Sequence, residues 1–246
     1  SLISTLTATI SAPSAARKWG SLAGVSGVYA GAATYMYFAW YHGQPGRPAF
    51  RVGGDGWFGA QTYAGGADKL GHAWAGLALS RVSGEILDWG GWERWRAGVI
   101  GSGLTVGLLT LFEVKDGYHT EFSPGDAVFN VLGAGLNAAM MAWPPLDELL
   151  DLRVEYFPSR EYRALVRGER PPPDPAAPHQ VSLNFVEDYS GQRYLVALHL
   201  GALPGLRGRA WARLVDVAVG YEADGYKPEP LDGGGGRSQH LFAAVS

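Results

Sequence analysis

A run of 23 residues without a charge extends from Trp19 to Tyr41. It is preceded by Arg17-Lys18 and closes in the aromatic-rich Tyr35-Met36-Tyr37-Phe38-Ala39-Trp40-Tyr41. That length and those flanks predict a transmembrane helix with an interfacial aromatic belt. Gly24, Gly27 and Gly31 recur at three- and four-residue spacing, as a closely packed helix face requires; a buried helix of a soluble bundle would account for the same run. Gly43 to Gly66 reads as a loop, broken by Gln44-Pro45-Gly46-Arg47-Pro48 and by Gly53-Gly54-Asp55-Gly56. A second helix is expected from Ala67 through Leu79. A third covers the uncharged Ala97 to Phe112, which is short for a membrane crossing, and a fourth covers Ala127 to Leu146, where Pro144-Pro145 interrupt it. The fourth has a sharp start: Ser123-Pro124-Gly125-Asp126 supplies an N-cap serine, a proline at the first helical position and an acid at the third.

Beyond Pro145 the pattern changes. Asp147, Glu148, Asp151, Arg153 and Glu155 follow in quick succession, and then Arg170-Pro171-Pro172-Pro173-Asp174-Pro175. Val181 to Val186 alternates as a strand should, Tyr189-Ser190-Gly191-Gln192 is turn-like, and Arg193 to Leu200 completes an expected β-hairpin. Leu214 to Tyr221 suits a strand or a short helix, and Gly233 to Gly236 a flexible connection. The expected fold is mainly α: a membrane-associated bundle of about four helices at residues 19–150, followed by an acidic to Pro-rich linker at 151–180. A smaller, hairpin-containing β extension occupies 181–246. Residues 1–18 form an N-terminal arm; Ser14-Ala15-Ala16 has the look of a cleavage site, but the segment lacks a basic start and reads as an ordered arm or a processing remnant.

Composition reinforces the lipid reading. Charged residues are 17% of the chain, against about 25% in an average soluble domain, while hydrophobic residues reach 47% with nine Trp and 36 Gly. A formal net charge of -3 without clustered Lys and Arg excludes a broad nucleic-acid face. The absence of cysteine removes disulfides, thiolate nucleophiles and Cys-ligated metal sites.

Three groups of residues could carry chemistry, and each falls at a helix edge. They are Asp68-Lys69-Leu70-Gly71-His72, then Glu113 with Asp116 and His119, then Ser123 and Asp126 followed by Asn130. On a helix Asp68 and His72 share a face, as do Asp126 and Asn130. If these faces converge with Glu113, carboxylates, an imidazole and an amide meet inside the bundle. His72, Glu113 and Asp126 are therefore the candidate catalytic acid and base, and equally the candidate ligands of a divalent metal, the one cofactor the sequence suggests. A structural account competes: Asp68 and Asp126 as helix caps, and His72 as a hydrogen-bonded core residue. His42, His179 and His199 read as structural or solvent-facing, with His119 intermediate. No serine lies in a nucleophile-elbow pattern and no Gly-rich run has phosphate-binding spacing.

The succession Asp68-Lys69-x-x-His72, Glu113-x-x-Asp116-Gly117, Phe122-Ser123-x-x-Asp126 and Asn130-x-x-Gly133-Ala134 resembles the YfiM-like family of periplasmic lipoproteins. More distantly it resembles the VanZ-like membrane proteins, over about residues 55–140. The resemblance implies a bacterial cell-envelope location, membrane-associated on the periplasmic side, and a helical VanZ-like unit. It singles out Asp68, Lys69, His72, Glu113, Asp116, Ser123, Asp126 and Asn130. The lipoproteins carry a lipid-modified N-terminal cysteine that this chain lacks, so Trp19 to Tyr41 is expected to supply the anchor.

Three functional readings remain open on sequence. One is a non-catalytic envelope protein, an accessory or structural subunit of a larger membrane assembly, with membrane lipid and other membrane-protein subunits as partners. The second is an enzyme or binding protein for a lipid- or glycan-linked anionic substrate, built on His72, Glu113 and Asp126. The third is a soluble α+β domain whose apolar segments are covered by the chain itself. Geometry separates the first two: catalysis needs these residues around an accessible cavity, whereas packing would seal them and satisfy their hydrogen bonds.

Overall fold

The computed structural model describes residues 14–44, 46, 49–54, 56–169, 185–228 and 236–245. The N-terminal arm up to residue 13, the Pro-rich segment, the first half of the expected hairpin (Val181–Asn184) and residues 233–235 of the glycine run lie outside the described residues.

Helix α1, Ala15–Met36, is capped by Ser14, whose side chain accepts from the Arg17 backbone N–H, and continues into a π-helical turn at Tyr37–Tyr41. The segment expected as a membrane span is thus helical to its end. Within α1 only Val25 is buried and Trp19, Val28 and Tyr35 are exposed, as are Phe38 and Trp40 in the turn that follows. A methyl group added at Gly24, Gly27 or Gly31 would meet nothing within 4 Å, so the expected close-packed glycine face has no partner in the described residues. Among those residues it is Arg94–His119, and not the expected Trp19–Tyr41, that has the length and hydropathy of a membrane crossing. The Gly, Ser, Tyr and Trp of α1 add no charge but hold its mean hydropathy down.

Helices α2 (Ala67–Gly90), α3 (Arg94–His119) and α4 (Pro124–Ala142) pack closely on one another. A methyl at Gly76 would lie 2.6 Å from the Asn130 carbonyl oxygen, one at Gly101 2.9 Å from that of Ser80, and one at Gly133 would collide with the backbone of Ala73. Small residues here let backbones approach, and polar groups follow into the contact: Ser102 donates to the Ala134 carbonyl at 2.7 Å.

Helix α2 outruns its expected end and α3 its expected start where charges are paired at one end of the bundle, and at the other end α3 runs on past Phe112 to His119 with Glu113 buried. Arg94 bonds Glu85 at 2.9 Å, Asp88 at 3.0 Å and Asp147 at 3.2 Å, and Arg81 also reaches Asp147. Helix α4 stops at Ala142, short of the expected Leu146, and Pro144-Pro145 open a separate short helix, α5 (Pro144–Leu149). With the short α6 (Arg160–Val166) the described residues hold six α-helices, not the four expected.

The C-terminal part is a four-stranded antiparallel sheet in the order β1 (Leu150–Tyr156), β2 (Gln192–His199), β3 (Asp216–Asp224) and β4 (Ser238–Val245). Strand β2 matches the expected second hairpin strand. Its neighbours, however, are β1 and β3, and Phe185–Glu187 is a 3-10 turn. Strand β1 lies in what reads as an acidic linker; Leu150, Leu152 and Val154 alternate with Asp151, Arg153 and Glu155, which is a strand's period.

The sheet joins the bundle at the start of α2. Buried Ala64, Ala67, Tyr189, Tyr194, Ala223 and Tyr226 form one core there. Gly65 and Gly66 take φ of +60° and +91°, left-handed backbone that favours glycine, and so turn the chain into α2 with Asp68 in its first turn.

Candidate functional site: a polar cluster at the end of the bundle

The starts of α2 and α4 and the last turns of α3 meet beneath that aromatic core and bring Asp68, Lys69, His72, Glu113, Asp126 and Asn130 together. Lys69, 1% exposed, places Nζ 2.9 Å from Asp68 Oδ2 and 2.5 Å from Asp126 Oδ1. Gly125 leaves room for it, since a methyl there would lie 2.7 Å from Lys69 Cε. His72 stands between three carboxylates. Its Nε2 is 3.6 Å from Asp68 Oδ1 and 3.7 Å from Asp126 Oδ1, and its Nδ1 is 3.9 Å from Glu113 Oε1. Asn130 Oδ1 lies 3.0 Å from His72 Nδ1, while Asn130 Nδ2 is buried with no hydrogen-bond partner among the described residues. Asp68 and His72 share the face of α2 that meets α4, and Asp126 and Asn130 the face of α4 that meets it in return.

Two of the eight expected positions differ in role. Ser123 is the N-cap of α4, its Oγ accepting from the Asp126 backbone N–H at 3.3 Å, and its own backbone bonds Glu113. Asp116 accepts from the Tyr41 hydroxyl at 2.8 Å, one helical turn beyond Glu113 on α3. It lines a separate cavity of about 470 Å³ with Trp40, Tyr41, Gln44, His119 and Glu187.

Burial and crowding of like charge govern the protonation states. Burial, followed by the Asp68 charge, pushes the Asp126 carboxyl up to about 6, and burial with the Asp126 charge pushes Glu113 up to about 7. His72 is raised: burial opposes its charging, but Asp68, Asp126 and Glu113 together outweigh that. Asp68, buried as deeply, is instead held below the ordinary range by the His72 and Lys69 charges and by hydrogen bonds from Lys69 and Tyr189. Three carboxylates face one lysine and one histidine, and under that crowding Asp126 and Glu113 hold a proton to higher pH than an ordinary carboxyl does.

Tyr189 is the functional neighbour that sequence reasoning misses. Its hydroxyl donates to Asp68 Oδ1 at 2.7 Å, and Tyr63 bonds Tyr189 in turn. In sequence Tyr189 sits in a turn-like tetrapeptide, and nothing local marks it as a partner of Asp68. His199 pairs with Asp216 at 2.7 Å within the sheet, and His42 lies beside the Phe38 ring, tilted to it; His179 lies outside the described residues.

Residues 54–142 match the model of a family described as predicted periplasmic lipoprotein (DUF2279). The matched segment holds all eight expected cluster positions and stops before the sheet. It agrees with the resemblance to periplasmic lipoproteins and with a location in the cell envelope, membrane-associated on the periplasmic side. No curated protein and no solved structure matches the chain.

Proposed function

We propose that this chain is a non-catalytic protein of the cell envelope, a membrane-associated accessory subunit of a larger assembly. In this reading the polar cluster is a lock that fixes α2, α3 and α4 against one another and against the C-terminal sheet. The observation that supports it most is the placement of Lys69 Nζ between Asp68 and Asp126 at 1% exposure. A reacting group must meet substrate, yet Asp68, Lys69, Glu113 and Asp126 are all buried, and the neighbouring cavity is lined by Asp116 and not by them. The exposed Trp19, Phe38, Trp40, Trp89, Trp95 and Trp143 at the bundle ends suit contact with lipid and with other membrane-protein subunits.

A second reading rests on its own observation. One ligand atom each from Asp68, His72 and Asp126 lies within 4.8 Å of the others, and Asn130 Nδ2, without a partner among the described residues, would suit a metal-bound water. These residues would hold a divalent metal, which could serve an enzyme or binding protein for a lipid- or glycan-linked anionic substrate. Metal analysis of the purified chain beside His72→Ala and Glu113→Ala separates the two. Metal-free protein whose variants lose stability or leave a larger complex supports the lock. Stoichiometric metal, lost from variants that stay folded, would replace it with the metal centre.

A further inference from the structure

The cavity beside the cluster has a chemistry of its own. One wall is aromatic: Trp40 is exposed, Tyr41 is buried, and His119 lies against the Tyr41 ring with centroids 4.9 Å apart. The other walls carry two carboxylates. Glu187 is neutralised by Lys227 at 2.6 Å, whereas Asp116 accepts the Tyr41 hydroxyl and has no ion-pair partner among the described residues. Gln44 adds an amide to the lining. A carboxylate without an ion-pair partner, set beside π faces, attracts an organic cation. The protein's own ammonium groups already use these surroundings: Lys115 Nζ lies 5.2 Å from the Tyr37 ring centroid and 5.6 Å from that of Tyr41, at the same edge, and Lys227 Nζ lies 5.5 Å from that of Tyr63.

We infer that this cavity binds an alkylammonium group, that of a zwitterionic aminophospholipid headgroup, an inference that rests on the membrane-associated reading above. The ammonium sits between Asp116 and the rings of Trp40 and Tyr41, and the phosphate meets Lys115 at the rim. The exposed Tyr35, Tyr37, Phe38 and Trp40 beside it form the apolar border that the first acyl carbons would touch. The headgroup is neutral overall, so the site asks for charge separation and not for net charge, which phosphate alone cannot supply.

The experiment uses the purified full chain in detergent with soluble phosphoethanolamine as probe. In parallel, it is floated on vesicles of phosphatidylglycerol, alone or mixed with phosphatidylethanolamine. Saturable binding of phosphoethanolamine at one site is expected, weakened roughly ten-fold by Asp116→Asn, which removes a charge-assisted contact and keeps an acceptor for Tyr41. Trp40→Ala, at an exposed position, provides a second variant whose fold is not at risk. Stronger flotation on the phosphatidylethanolamine mixture, lost in both variants, assigns the lipid source. Soluble binding with no vesicle preference keeps the ammonium site but overturns the lipid source. Inorganic phosphate competing as well as phosphoethanolamine, or binding unchanged in both variants, overturns the site altogether. Flotation on both vesicle types without phosphoethanolamine binding would sink this inference and leave the membrane-associated reading standing.

Discussion

The Tyr189 hydroxyl donates a 2.7 Å hydrogen bond to Asp68 across 121 positions of sequence, and it ties the turn before β2 to the first turn of α2. Both groups are buried, so neither can turn to water if the other is lost. Tyr189→Phe keeps the ring in its core with Tyr194 and Tyr226 but strips one donor from a charged acceptor. It is expected to lower stability by about 1–3 kcal/mol, read as a shift in the denaturation midpoint at constant slope. An unchanged midpoint would mean that the sheet is held without help from the cluster.

Stability should also follow pH in a specific direction. The folded state raises Glu113 to about 7, Asp126 to about 6, and His72 above its ordinary value. Each therefore binds protons more readily folded than unfolded. Their contribution is complete below the unfolded values and is lost as pH rises through the folded ones. Asp68 works the other way, and its contribution disappears only in acid, below the ordinary carboxylate range. The melting temperature is expected to rise as pH falls from about 8 to about 5 and to drop again below about 4. Glu113→Gln should flatten the upper limb; a native profile that climbs steadily toward pH 8 would contradict these assignments.

How much of this was legible in sequence depends on the range of the interaction. The four long helices, the Ser123 cap and the shared faces of Asp68 with His72 and of Asp126 with Asn130 follow from local spacing, whereas the meeting of those two faces is a tertiary contact that only the structure shows. Helix ends were misplaced where a charge looked like a terminus, because Arg81, Glu85 and Arg94 find partners on other elements that sequence does not reveal. Strand β1 was hidden by its acids, although every second residue is apolar. Tyr189 and the pairing of β2 with β1 are tertiary facts with no local signal.

The glycines divide into two kinds, and substitution should separate them. Gly133→Ala pushes a methyl into the Ala73 backbone and Gly76→Ala into that of Asn130, where neither helix can yield without moving the cluster. Each should cost about 1–3 kcal/mol or more, as overpacking of a tight contact does. Gly24→Ala in α1 meets open space and should gain about 0.5–1 kcal/mol from helix propensity. Urea titrations of the three variants test the contrast, and a destabilised Gly24→Ala would place an unseen partner against α1.

The sharpest test of the lock concerns Lys69. Replacing it with Met keeps most of the volume but leaves Asp68 and Asp126 facing each other without their shared cation, at 5% and 8% exposure. Breaking a buried ion pair from one side costs about 3–5 kcal/mol, so Lys69→Met should unfold at a much lower temperature than the native chain. Adding Asp126→Asn should restore part of the loss, because the uncompensated charge is then removed. Millimolar divalent cation supplies the discriminating arm. If the cluster is a lock shaped around an ammonium group, Mg²⁺, Ca²⁺ or Zn²⁺ should leave the variant's melting temperature where it was. Recovery by one of these ions would mean instead that Asp68, His72 and Asp126 close readily around a metal once Lys69 is gone. The native lysine would then be a placeholder in a cation site, and the accessory-subunit reading would give way to a metal-dependent one.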